Sequence, residues 1–209
     1  MSSNLPWMWF AMRASGITAW TLLSATIMWG LLLRTRILPA GSPVRLMNMH
    51  KYLGILALLT LAVHMVTVFL DPTLGFTWAN ILIPFTAAWK PLALATGIIA
   101  AYLMVPVQVV ARVRARMGKS GAKWFNRSHL IAYAAWPLAT AHYVIAGTDA
   151  LVPASIMLIS SVTLVIVLLL TARGWVPRGY FAKRAASRPV SAVKSDTAEK
   201  ELVGAGSSN

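Results

Sequence analysis

Cysteine is absent from the 209 residues, and acidic side chains number only five. Without a thiol the chain has no disulfide, no cysteine-held iron–sulfur cluster, no c-type haem attachment and no cysteine nucleophile. Charge of any kind is scarce. Charged residues make up 11% of the chain, where a soluble domain carries about 25%, and this rules out a soluble enzyme with its own nucleotide-binding domain. The acids are outnumbered by 19 lysines and arginines, for a net charge of +14. A nucleic-acid binder would present such charge on a solvated face. Here the cations fall in short clusters between long apolar runs, which excludes nucleic acid as partner and assigns the basicity to loops at a membrane surface. Neither paired carboxylates nor a Ser–His–Asp arrangement is visible, so hydrolytic chemistry has no support.

What the chain does have is apolar length: 58% of it is hydrophobic, with a mean hydropathy of +0.68. A helix needs about 20 apolar residues to cross a hydrocarbon core of about 30 Å. Five segments qualify: Leu5 to Leu33, Leu46 to Leu70, Trp89 to Val110, Trp124 to Ile145 and Leu151 to Thr171. The fold expected is all-α, a polytopic five-span transmembrane bundle over residues 1–175, followed by a basic, disordered tail over 176–209. Arg13 interrupts the N-terminal stretch and no small-residue cleavage site follows, so a removable signal is not expected. Between the second and third spans the chain from Asp71 to Ala88 is too long for a turn. It is rich in aromatics, as an interfacial belt with a short surface-lying segment around Ile81 to Phe85 would be. Seventeen of the 19 cations lie in the loops after spans one and three, in the C-terminal tail, or just inside the neighbouring helices; Arg13 and Lys90 alone lie on the other side. By the positive-inside bias the N-terminus is expected outside and the C-terminus in the cytoplasm, in the plasma membrane of the cell.

All four histidines fall inside expected spans. His50 and His64 are on the second, His129 and His142 on the fourth. Separations of 14 and 13 residues amount to about 20 Å along each helix, and the two helices run the same way. The histidines therefore lie at two matched depths, and ionisable side chains within a membrane are costly and usually functional. Two imidazoles at one depth can clamp one iron from opposite sides, and non-covalent haem needs no cysteine. Two such pairs would stack two haems across the bilayer. A single zinc centre is excluded, because ligands about 20 Å apart cannot all reach one ion at about 2 Å. The plainer alternative is that the histidines only bond neighbouring helices or relay protons, in a haem-free transporter or scaffold. One detail strains the haem arrangement: 14 residues nearly restore a helical face, whereas 13 leave it about 140° away. Pro137, lying between His129 and His142, is expected to make part of the correction.

These residues resemble the ferric reductase-like transmembrane domain shared by ferric reductases, NADPH oxidases and the haem subunit of the periplasmic methionine sulfoxide reductase system. The resemblance is to its small bacterial, actinobacterial members. It rests on Trp9 to Gly16, Met49-His50-Lys51-Tyr52-Leu53, His64 to Asp71-Pro72, Lys90-Pro91-Leu92, Ser128-His129 to Pro137, and on through His142 to Gly147-Thr148-Asp149. The histidine spacing is its most specific part. It implies two b-type haems, with His50 and His129 as axial ligands of the cytoplasmic one, and His64 and His142 as those of the outer one. The family often has six spans where five are counted here. Ferric reductases and NADPH oxidases also carry a C-terminal flavin and nicotinamide domain. This sequence ends about 35 residues after its last span, so any flavin is expected on a separate flavoprotein, or a quinone takes that role. Transmembrane electron transfer is the activity implied, and whether a ferric chelate is the acceptor stays open.

Other residues complete the candidate set. Arg13 is a possible propionate contact of the outer haem through its guanidinium fork. Lys51 and Arg127, together with Arg45, are possible contacts of the inner one. Each is otherwise an interfacial cation. Met49 and Met65 point about 100° away from their neighbouring histidines and are discounted as ligands. Trp20, Trp29, Tyr52, Tyr133 and Trp136 are assigned to packing before electron relay, and Asp71 and Asp149 to solvated helix ends. Met117-Gly118-Lys119-Ser120 lacks the first glycine of a phosphate-binding loop and the strand that would precede it.

Overall fold

The computed structural model describes residues 7–35, 43–113 and 116–175. The expected tail over 176–209 lies outside them. Six helices follow in order: α1 (Trp7–Thr35), α2 (Pro43–Leu70), α3 (Trp78–Leu82), α4 (Pro91–Val113), α5 (Gly118–Ala146) and α6 (Pro153–Trp175). The described chain is all-helical, and five of its helices are long. Four of these, α1, α2, α4 and α6, are long and apolar enough to cross a membrane. At 29 residues α5 is as long as α1, but its first three turns carry Lys119, Lys123, Asn126, Arg127 and His129, which dilute its apolar character.

Three of the long helices, α2, α4 and α6, begin on proline. A first helical position has no use for the missing N–H, and the fixed φ suits the turn. These starts lie within three residues of the expected ones, whereas α5 begins six residues before Trp124. The short α3 lies on Trp78–Leu82, slightly earlier than the segment expected around Ile81 to Phe85. Thr77 caps it: the threonine hydroxyl accepts from the Asn80 N–H, and the Asn80 side chain accepts from the Thr77 N–H. After it the chain passes through left-handed φ values at Phe85 (69°) and Lys90 (42°), conformations unusual for side chains of that size.

Consecutive long helices are antiparallel. Helix α1 packs along α2, α4 packs along α5, and α1 also touches α5 and α6. The core is built on α1, whose Trp20, Leu23, Ile27 and Leu31 meet Met104, Ala135, Trp136 and Ile166. By contrast α6 buries little, and its Met157, Leu164, Val167 and Leu168 are exposed. Apolar surface of this kind suits contact with lipid, where the helical backbone already satisfies itself.

A closed set of hydrogen bonds ties α1 to α5. The Trp20 indole donates to Thr140 Oγ1 (3.0 Å), and Thr140 donates to the Trp136 carbonyl (2.9 Å). The Trp136 indole donates to Ser24 Oγ (2.9 Å), and Ser24 donates to the Trp20 carbonyl (2.8 Å). Each buried indole N–H thus finds an acceptor, as an apolar interior requires. Of the aromatics assigned to packing, Trp20 and Trp136 carry this polar seam as well, while Tyr52 is exposed at 60% and packs little.

Candidate functional site

Helices α2 and α5 run parallel on opposite sides of the interior, their backbones standing apart while their histidines face each other. The ring centres of His64 and His142 are 6.2 Å apart, at the end of the bundle that carries α3. Those of His50 and His129 are 5.9 Å apart, at the end rich in lysine and arginine. Two imidazoles bound from opposite sides to one metal ion, each at about 2 Å, set their ring centres about 6 Å apart. The residues present therefore fit a bis-histidine iron site at each depth, and the four histidines meet as two pairs. Despite its 13-residue spacing, α5 presents both of its rings to α2. Pro137 lies inside this helix, where it cannot donate to the intrahelical ladder. Among the described residues no three His, Cys, Asp or Glu side chains gather at one point, so a single four-ligand centre has no basis.

The rings are held through their other nitrogen. Nδ1 of His64 lies 2.9 Å from the Met12 carbonyl on α1, and Nδ1 of His142 lies 2.7 Å from the Ala93 carbonyl on α4. A carbonyl only accepts, so both histidines carry their proton on Nδ1 and leave Nε2 with a free lone pair. At the basic end, Nδ1 of His50 is buried without a hydrogen bond, and the ring of His129 stacks on Phe125 with centroids 4.9 Å apart.

Sequence reasoning missed the glycines beside these rings. A Cβ placed on Gly16 would stand 2.9 Å from Cε1 of His64, and one on Gly30 would stand 2.9 Å from Cε1 of His50. At Gly97 it would stand 2.7 Å from Nδ1 of His142. Hydrogen is the only side chain these positions admit with the rings as placed. A glycine within an otherwise helical, apolar stretch was the available signal.

Around the α3-end pair lies a cavity of about 380 Å³, within the range of small-molecule and cofactor sites. Leu23, Leu61 and Ile98 are among its apolar walls, and Trp9, Phe76 and Trp89 also line it. Arg13 lines it too, but the guanidinium is already engaged. It pairs with the Asp149 carboxylate, donates to Thr148 Oγ1, and lies 4.2 Å from the centre of the Trp9 ring. Lys51 and Arg127 are exposed at the basic end, beside His50 and His129 in sequence but away from this cavity. Lys90 donates to the Ile145 carbonyl (2.7 Å), satisfying a carbonyl in the last turn of α5.

One of the two acids departs from the expected solvated helix ends. Asp71 is buried at 2% exposure, and its Oδ1 accepts from the Thr73 N–H and hydroxyl. Asp149 is half exposed and holds Arg13. Asp71 alone is turned inward, with Thr73 on its Oδ1; Asp149 stays partly solvated while it holds Arg13.

One family model matches the chain, described as ferric reductase like transmembrane component, over residues 15–140. That span takes in His50, His64 and His129 and stops two residues short of His142. No curated protein and no solved structure matches the chain.

Proposed function

The chain belongs to the ferric reductase-like transmembrane component family, and on that premise we propose that it is the haem-bearing membrane subunit of an oxidoreductase, passing electrons across the bilayer. His64 and His142 hold one b-type haem, and His50 and His129 hold the other. The observation that carries this reading is the pair of facing imidazoles at each of two depths, at 6.2 Å and 5.9 Å. When bound, such a haem would supply one-electron chemistry, with one facing pair of histidines holding each iron, a role suited to electron transfer.

The chain's own residues supply the surroundings. Nδ1–H donation to the Met12 and Ala93 carbonyls orients the α3-end rings and makes their Nε2 atoms more basic. The apolar walls keep water from the site. In this reading Arg13 exchanges Asp149 for a propionate of the α3-end haem, and Lys51 and Arg127 serve the propionates of the other. By the charge bias the α3 end faces outside and the basic end the cytoplasm of the plasma membrane. A separate flavoprotein or a quinone is the partner this reading calls for. The test is a reduced-minus-oxidised absorption spectrum of the purified protein, with haem quantified per chain. Low-spin b-type bands at two haems per chain are expected; none, after expression with haem supplied, would overturn the reading in favour of a transporter or scaffold.

A further inference from the structure

Three glycines share one arrangement. The His64 ring, packed on Gly16, bonds the carbonyl of Met12; the His142 ring, packed on Gly97, bonds the carbonyl of Ala93. The His50 ring is packed on Gly30, and the Thr26 carbonyl lies beside it. In every case the carbonyl belongs to the residue four before the glycine. That spacing has a physical cause. A helical Cα–Cβ bond tilts toward the N-terminus, so the side chain of residue i+4 lies over the turn that holds the carbonyl of residue i. A carbonyl has two lone pairs, and the helix ladder uses only one. Removing the side chain at i+4 uncovers the second for a donor from a neighbouring helix. Glycine is a poorer helix former than alanine, a penalty that the uncovered acceptor offsets.

We infer that Gly16, Gly30 and Gly97 are positioning residues, each a slot that admits a ligand histidine against its helix, and that at Gly16 and Gly97 the slot exposes a backbone carbonyl to the ring's Nδ1 and so turns its Nε2 toward its partner across the interior. The inference rests on the two-haem reading for its consequence, but the slots themselves are a matter of helix packing. Gly54 is the built-in control. A Cβ there would stand 2.9 Å from Nε2 of Gln108, as tight a fit as at Gly16 or Gly30, with no histidine involved.

The test compares Gly16→Ala, Gly97→Ala, Gly30→Ala and Gly54→Ala in the full-length, detergent-purified protein by haem per chain and redox titration. Gly16→Ala and Gly97→Ala are expected to weaken haem binding at the α3 end by tenfold or more, the usual effect of losing a partner behind a metal ligand. Haem then falls from two per chain toward one, and what remains at that end shows a raised midpoint potential, because its imidazole has become less basic. Gly30→Ala affects the other haem, and Gly54→Ala leaves both in place. Alanine at all three slots with no change in haem or potential overturns the inference while leaving the two-haem reading intact. So does a Gly54→Ala variant that loses haem as readily as the slot variants. Should Gly16→Ala keep the chain from accumulating in membranes, the double variant Gly16→Ala with His64→Ala decides. With the ring gone it accumulates if the slot serves the histidine, and stays absent if the glycine serves helix packing alone. That comparison keeps its meaning even if the wild-type protein proves to hold no haem, the outcome that overturns the functional reading instead.

Discussion

The two histidine pairs are alike in spacing and unlike in finish. At the α3 end both rings donate to backbone carbonyls and stand in a cavity of about 380 Å³. At the basic end His50 rests on its glycine with no hydrogen bond at Nδ1, and His129 is flanked by the Phe125 ring. The α3-end rings reach backbone carbonyls at 2.9 and 2.7 Å, whereas His50 lies on Gly30 beside the Thr26 carbonyl and His129 lies against Phe125. The difference teaches that facing histidines can be set at a common distance by different means, and that the means should show in the properties of whatever they hold.

The strongest way to break the comparison is to remove ligands one pair at a time. His64→Ala or His142→Ala is expected to abolish the α3-end haem and spare the other, and His50→Ala or His129→Ala to do the reverse, read as haem per chain. If none of the four substitutions loses a haem, the pairing is wrong. These variants also sharpen the contrast, since each isolates one site. The α3-end haem, whose two ligands both donate from Nδ1 to backbone carbonyls, is expected to have the lower midpoint potential by about 60 mV, a tenfold bias for a one-electron couple. Redox titration of His50→Ala against His64→Ala measures it, and equal potentials would mean that the hydrogen bonds at Nδ1 make no difference.

Smaller effects are expected away from the ligands. Trp136→Phe removes the indole donor to Ser24 and leaves a buried hydroxyl short of a partner. It should lower stability by about 1–2 kcal/mol, seen as an earlier thermal unfolding midpoint with both haems retained. Arg13→Ala breaks a half-exposed ion pair and should cost about 1 kcal/mol or less. If Arg13 also reaches a propionate, it will shift the potential of the α3-end haem alone.

Much of the fold was legible because apolar length and the four histidines are one-dimensional signals. Matched depths on two parallel helices needed only a residue count. The 13-residue spacing on α5 predicted a mismatch of face that the structure does not carry through: both rings face α2 from a helix that holds Pro137 between them. The glycine slots could not be read in advance. Glycine is common in transmembrane helices, and its meaning here lies in which ring stands against it across the interhelical space. The inward turn of Asp71 depended in the same way on Thr73, a partner that composition cannot rank above water. The prolines at 43, 91 and 153 were visible as helix starts, yet apolarity alone drew the boundaries elsewhere.

The four-bond ring joining Trp20, Ser24, Trp136 and Thr140 has a mechanical consequence. Helices α2 and α5 do not pack along each other as α1 packs along α2, so how far one slides along the other is set largely through their neighbours. The histidines of α2 rest on α1, and α1 is pinned to α5 at this ring. Axial alignment of the facing pairs therefore passes in part through a rivet in mid-span, with the Arg13–Asp149 pair as a second tie near the α3 end. A slip of one residue there, about 1.5 Å, would carry through α1 and misalign both ends of the molecule together.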